Sequence, residues 1–398
     1  MKRLPQRNLV GLLVLALFVL FAGWFEITQP GGFSSLTGGI ITFDTLVRVG
    51  ILTIVVVGLN LLMGYTGQAS LGHAAFYGMG AYFSAILTAR ASVLGIPEAV
   101  AQSWWWPWLL IPLGMALTGG FAYLVGRPIL RLKGHYLAMA TLGLGIVIVI
   151  LFRENFGIDA NALSLTGGSD GIPGIPRLRV GSYELWPVTR YYFLVWGVAI
   201  LTILLALNIV NSRVGRALRA IHSSDLAAEV IGVDTAAFKT KVFVLSAVFA
   251  SLAGSLYAHF QAAVSPPTFG FVASLELVVM AAVGGMVSIW GAPFGVAVIF
   301  GIRELLRARL HRVVEGAGGE YEVVAFGLIL ILIMIFAPDG VIQALAQLFR
   351  RLRSGPGAGP AGEAEVDREA TQGAQGTELL EAGVEAGTVE GMEVKHGR

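Results

Sequence analysis

GLNLLMGYTGQASLGHAAFYGMGAY, residues 58–82, is apolar enough to sit inside a membrane, yet it carries six glycines and places Gln68, Ser70 and His73 where lipid would be. In a helix exposed to water each glycine costs about 1 kcal/mol relative to alanine. Inside a bilayer the same residue lets a second helix come close, or lets the helix break where protein rather than lipid surrounds the freed backbone. The stretch therefore reads as an interior lining segment.

The rest of the chain agrees on the medium. Of 398 residues 56% are hydrophobic and 13% charged, which excludes an ordinary soluble domain and specifies an all-α polytopic membrane protein. Without cysteine, neither a disulfide framework nor a thiolate metal site can form. The net charge of +2 hides a basic body, residues 1–353, and an acidic tail, residues 354–398. That tail is mostly Gly, Ala and Glu and is expected to be disordered, because it has too few large apolar residues to fold.

Lys2, Arg3 and Arg7 precede an apolar run over residues 9–25. It reads as an uncleaved first span with its amino end in the cytoplasm, since Ala22-Gly23-Trp24 is a poor cleavage site for a signal peptide. Further spans are expected over residues 45–63, 70–89, 108–126, 135–152, 191–210 and 241–261. The tryptophans around Pro107 form an aromatic belt, and Arg127, Arg131 and Lys133, with no acid among them, mark a cytoplasmic loop. Residues 153–190 make a long turn-rich outer loop that reads as an ordered cap. His135 and His259, near span ends, read as interface residues. The apolar run 275–302 is interrupted by Gly284-Gly285 and Gly291-Ala292-Pro293. It is expected to enter the membrane, break and return on the same side, so that after a last span over 323–337 the tail is cytoplasmic. The total is about eight to ten membrane helices.

Ser70-Leu71-Gly72-His73-Ala74-Ala75-Phe76-Tyr77-Gly78 and Ser288-Ile289-Trp290-Gly291-Ala292-Pro293-Phe294-Gly295 share a serine, spaced glycines, an alanine and a phenylalanine. Corresponding broken segments in two halves mark transporters built from an internal repeat; a glycine-rich apolar chain also yields such likeness by coincidence. Candidates for a translocation pathway are Gln68, Ser70 and His73, with Gly64, Gly67 and Gly72 shaping the backbone and the 284–295 break, with its Gly284, Gly285 and Gly291, facing them. Uncharged hydrogen-bonding groups beside glycines suit passage of a small polar or zwitterionic solute without trapping it. The competing reading is helix packing, with the polar side chains satisfied by neighbouring carbonyls.

Residues 211–240, NSRVGRALRAIHSSDLAAEVIGVDTAAFKT, connect two spans on the cytoplasmic side. Val214, Ala217, Leu218 and Ile221 share one helical face, with Arg213, Arg216 and Arg219 around it. Ser223, Ser224 or Asp225 can cap a second helix over residues 226–231, which Gly232 stops, and Asp234-Thr235 caps the next. The result is a piece of roughly two turns, about 10 Å long, that can be pushed as a rigid body. An amphipathic loop resting on anionic lipid is the alternative.

This segment, with GLNLLMGYTGQASLGHAAF, LKGHYLAMATLGLG, the LTGGSDGI loop, VGGMVSIWGAPFGV and the closing Ala337-Pro338-Asp339-Gly340, resembles in order the branched-chain amino acid family of ABC-transporter permeases. The resemblance covers roughly residues 45–345, and the LKGHYLAMATLGLG and TGG features are similar to the longer, M-type subunit. It implies a permease domain over residues 1–353 in a bacterial-type plasma (inner) membrane. The implied partners are a shorter H-type permease, two nucleotide-binding ATPase subunits, an extracytoplasmic solute-binding protein and membrane lipid, with no nucleic acid. It further implies that Arg216, Arg219, Ala227, Ala228, Glu229 and Gly232 touch an ATPase subunit, and that leucine, isoleucine and valine are moved by alternating access. Small alanines permit close docking, while Arg and Glu orient the helix through charged hydrogen bonds.

No G-x-x-x-x-G-K-[ST] phosphate loop occurs in the chain, so ATP would be hydrolysed by a partner. The chain is thus expected not to be an enzyme, with no catalytic residue, metal site or cofactor. Urea and short-chain amide permeases share the motifs and compete on substrate. An ion-coupled secondary transporter would want an acid deep in the bilayer, where only Glu276, at an edge, is a candidate. An integral-membrane enzyme would want a paired acid and base or a His/Asp cluster, and the scattered histidines show no such spacing.

Overall fold

The structure, a computed structural model, describes residues 6–39, 41–155, 165–186, 188–313 and 327–328. Among them the chain is almost wholly helical. In order the helices are α1 (Gln6–Thr28), α2 (Gly32–Leu36), α3 (Phe43–Leu59), α4 (His73–Ala89), α5 (Glu98–Ala101), α6 (Trp106–Ile129) and α7 (His135–Arg153). They continue with α8 (Val188–Val210), α9 (Arg213–Ser223), α10 (Asp225–Val230), α11 (Thr235–Gln261), α12 (Phe271–Gly284) and α13 (Gly291–Val313). A π-turn, Asn60–Gly64, prolongs α3, and a 3-10 turn, Pro266–Phe269, leads into α12.

Seven of these stretches are long and apolar enough to cross a membrane: α1, α3 with its π-turn, α6, α7, α8, α11, and α12 with its leading turn. α4, at 17 residues, is shorter, and the second half of α13 carries Arg303, Glu304 and Arg307. These two, α4 and α13, are the second halves of the two broken pairs. The last span over 323–337, the Ala337–Gly340 motif and the acidic tail lie outside the described residues, apart from two positions at 327–328.

α11 is the packing axis. It crosses α4 where two glycines face each other's backbone. A β-carbon at Gly80 would fall on the Ser251 carbonyl, and one at Gly254 on the Tyr77 carbonyl. Ser255 Oγ donates to the Gly80 carbonyl at 3.1 Å, and Thr118 Oγ1 of α6 donates to Ser251 Oγ at 3.1 Å. α3 approaches the same helix through Gly58, where a β-carbon would stand 3.2 Å from the Ser246 backbone. α8 packs on α3, with Trp196 Nε1 donating to the Leu46 carbonyl at 3.1 Å. α1 touches α8 along one side and exposes Leu13, Leu17, Phe21 and Trp24 on the other, the pattern of a lipid-facing helix.

α12 and α13 form the broken hairpin that the glycine pattern predicts. Gly285 has φ of +91°, a conformation open to glycine, and Gly295 comes back alongside Met280 and Gly284. The return is antiparallel, because Arg303 of α13 reaches Glu276 of α12 at 2.6 Å.

Between α7 and α8 the described part of the loop is ordered. β1 (Ile172–Pro173) pairs with β4 (Ala263–Val264), and β2 (Arg179–Val180) pairs with β3 (Tyr183–Glu184), both antiparallel. His259 is not an interface residue. It is fully buried beneath this loop, with its Nδ1 2.7 Å from the Pro176 carbonyl, because α11 runs on past it to Gln261. The aromatic belt divides similarly. Trp104 and Trp105 are exposed, whereas Trp108 Nε1 donates to the Arg179 carbonyl at 2.7 Å and holds the loop.

Gly254→Ala is expected to lower the melting temperature in detergent markedly, because the clash is with backbone and overpacking costs about 1–3 kcal/mol or more. Gly120→Ala, in α6 with open space around it, should leave it unchanged or slightly raised. Fluorescence-detected size exclusion after heating reads both.

Candidate translocation and coupling site

The first break runs from Tyr65 to Gly72 and keeps its backbone paired within protein. Gly67 takes φ of +68°, its N–H returning to the Met63 carbonyl at 3.1 Å and that of Gln68 to the Leu62 carbonyl at 3.3 Å. These bonds close the end of the first helix. The start of α4 is held by two other helices. Thr141 Oγ1 of α7 accepts from Leu71 N at 3.1 Å, and Ser274 Oγ of α12 accepts from Ala74 N at 3.2 Å. Gly72 lies so near the Thr141 carbonyl that no side chain fits.

The second break docks on the first. Asn60 Nδ2 donates to the Ser288 carbonyl at 2.9 Å, and a β-carbon at Gly64 would overlap the Met286 carbonyl. Within the 284–295 break expected to face the first, Gly284, Gly285 and Gly291 pack on one another and close the α12–α13 turn. The segment that reaches across is 286–288.

The three polar side chains differ. His73 is fully buried, with Nε2 2.7 Å from Ser246 Oγ, so packing accounts for much of it. Gln68 is 3% exposed and neither its amide oxygen nor its nitrogen has a partner among the described residues; Ser70 Oγ is equally unpaired. Each such group costs about 1–3 kcal/mol, and a fold keeps such groups for a reason other than stability. Gln68 borders a cavity of about 240 Å³ that it shares with Thr66, Lys133, His222, Asp225 and Lys239. The break therefore meets the α9–α10 segment, with His222 Nδ1 only 3.2 Å from where a β-carbon on Gly67 would stand.

Ser212 caps α9, accepting from Val214 N at 3.1 Å, and Ser224 caps α10, accepting from Ala227 N at 3.3 Å. Gly232, with φ of +84°, stops α10, and Asp234 caps α11 by accepting from Ala237 N at 3.0 Å. The buried face of α9 is Gly215, Leu218 and Ile221; Val214 is exposed, since Gly215 sits against the end of α8 at Val210. Arg219 donates to the Val210 carbonyl at 3.2 Å, Glu229 accepts from Thr235 Oγ1 at 2.7 Å, and Lys239 pairs with Asp225.

Of the residues singled out for docking, Ala228 is buried against the chain itself, while Arg216 and Ala227 are exposed. What faces outward is Leu226, Val230 and Ile231, 73%, 81% and 72% exposed. Leu226 and Val230, one turn apart, share the face of α10 opposite Ala228, and Ile231 follows at its C-cap. The sequence reading named the small and charged residues and passed over these three.

Residues 41–337 match the family model described as branched-chain amino acid transport system / permease component. The chain belongs to that family. The permease is 29% identical over 372 residues to the high-affinity branched-chain amino acid transport system permease protein LivM of Salmonella typhimurium (strain LT2), covering 87% of this chain and 78% of the relative. LivM of Escherichia coli (strain K12) is 29% identical over 355 residues, covering 83% and 74%. LivH of Escherichia coli (strain K12), a permease protein of the same kind of system, is 28% identical over 306 residues, covering 73% and 90%. No solved structure matches the permease.

Gln68→Leu is expected to raise thermal stability by removing an unpaired buried amide worth about 1–3 kcal/mol, and to reduce solute uptake. Lower stability with full uptake would make Gln68 a packing residue.

Proposed function

We propose that the permease is one of two membrane subunits of a binding-protein-dependent ABC importer and carries branched-chain amino acids by alternating access. It would pair with a second, H-type permease and receive cargo from an extracytoplasmic binding protein, while two separate ATPase subunits supply the work. The observation that carries this reading is α10. Three large apolar side chains stand in solvent on a helix capped at its start and stopped by glycine at its end, set directly before the 27-residue α11. Exposed apolar groups held this rigidly suit a protein partner. Their order in the chain is that of the family's coupling segment, and the relatives' names supply the cargo.

The residues around α10 then divide by task. Glu229, through Thr235, and Gly232, through its positive φ, fix α10 to α11; Arg219 fixes α9 to α8. Ala228 seats the helix, and Arg216 and Ala227 flank the apolar contact. Closure of the ATPase subunits would displace α9 and α10 together, and the contact of His222 with Gly67 would pass that displacement to the first break, so that Gly64, Gly67, Gln68, Ser70, Gly72 and His73 form the moving wall of the pathway.

The α9–α10 end is the cytoplasmic one in this reading. It gathers Arg127, Arg131, Lys133, Lys239 and Lys241 around a cavity of about 680 Å³, in accord with the bias of basic residues toward the cytoplasm. α1 begins at the same end, because Gly23, near its finish, packs on Phe193, near the start of α8. The amino terminus would then be cytoplasmic, and we propose the same side of a bacterial-type inner membrane for the acidic tail, which lies outside the described residues.

Replacing Leu226 and Ile231 together by Glu should abolish co-purification of the ATPase subunits, while the permease still inserts and elutes as a folded species. Retention of those subunits at wild-type stoichiometry would refute the coupling role of α10.

A further inference from the structure

A third cavity, of about 140 Å³, opens at the opposite end of the bundle. Its place is set by Arg48, whose guanidinium donates at 3.0 Å to the side-chain oxygen of Gln261, the last residue of α11, whereas α10 adjoins the first. Arg48 shares the cavity wall with Glu276 and Arg303. Glu276 accepts from both Nη atoms of Arg303, at 2.6 and 3.4 Å, and Arg48 lies 3.7 Å from Asp44 on its own helix. Ionisable side chains inside spans are costly and mark sites when they face a cavity. The Glu276–Arg303 pair would neutralise itself; Arg48 brings a further cation into the same space.

The remaining wall is mostly apolar, with Ile51, Leu277, Met280 and Phe300 beside the charged groups and Tyr77, Tyr257 and Thr268 completing it. A guanidinium keeps further N–H donors after bonding Gln261, and a carboxylate keeps lone pairs after bonding Arg303. One edge of the cavity thus offers donors for a carboxylate and an acceptor for an ammonium, and its floor suits an aliphatic chain. A solute with all three features is a zwitterionic α-amino acid with a branched apolar side chain. Most of the wall comes from α3 and α4 and from α12 and α13, the two pairs whose breaks dock on one another, with Tyr257 of α11 and Thr268 of the 3-10 turn added, so relative movement of the breaks would reshape this cavity.

We propose that this cavity is the outward-facing cargo station of the permease. Glu276 receives the ammonium, Arg48 the carboxylate, and Ile51, Leu277, Met280 and Phe300 the side chain. The assignment rests on the importer reading above and gives it a binding site.

The chain has no cysteine, so Ala273→Cys, on the cavity wall, introduces its sole thiol. In the complete importer in proteoliposomes, with leucine import confirmed for Ala273→Cys, alkylation at that position by a membrane-impermeant maleimide is followed by mass spectrometry. Leucine should slow the labelling several-fold. Leucinamide and isoamylamine, which lack the carboxylate, should not. Adding Arg48→Gln should remove the protection, and Arg48→Lys should restore part of it. Unchanged labelling in a complex that imports leucine would overturn the site while leaving the importer reading intact. Equal protection by all three compounds would overturn the head-group assignment. A complex that moves other solutes but no leucine would overturn the cargo reading and the site with it.

Discussion

A helix that breaks inside a bilayer frees backbone amides and carbonyls that lipid cannot satisfy. This permease contains two such breaks, after Gly64 and after Gly284, and much of the fold can be read as the means of pairing what they release. The first returns Gly67 and Gln68 N–H groups to the helix they leave, and borrows Thr141 and Ser274 to hold the start of α4. The second turns on itself through three glycines and offers the Ser288 carbonyl to Asn60. Glycine is required where backbone meets backbone. At Gly64, Gly72, Gly80 and Gly254 a single methyl would collide with a carbonyl. Elements joined this way have few intermediate positions, because a packed contact of this kind slips as a unit.

α11 connects the two ends of that core. Its first turn carries the short helix α10 and its last residue holds Arg48, about 40 Å away at 1.5 Å per residue. In the proposed mechanism a push at one end would be carried along this helix to the cavity at the other. The α9–α10 segment meets the first break where His222 faces Gly67 across a shared cavity, and the unpaired amide of Gln68 stands beside it.

Local chemistry was legible in the sequence. Ser224, Gly232 and Asp234 delimit α10 because caps and stops act within a few residues of themselves. Glycine spacing likewise announced the break between α12 and α13. Contacts across long separations were not legible. Arg48 and Arg303 share a cavity only because α3 and α13 pack together, and His259 is buried only because a loop from residues 165–186 folds over it. The outward face of α10 was missed for a related reason. Once Ala228 is known to point inward, Leu226 and Val230 must point out, but nothing in the local pattern says which side is inner.

The central claim is that the first break lies on the route of the solute and moves with the α9–α10 segment. Its most direct test places a cysteine at Gln68 in the assembled importer and measures the rate of thiol labelling from the cytoplasmic side, without nucleotide and with ATP held in the closed ATPase pair. The account predicts rates that differ several-fold between the two states in a complex whose ATP hydrolysis is intact. Identical rates in both states would contradict it, and would leave the break a static joint between packed helices.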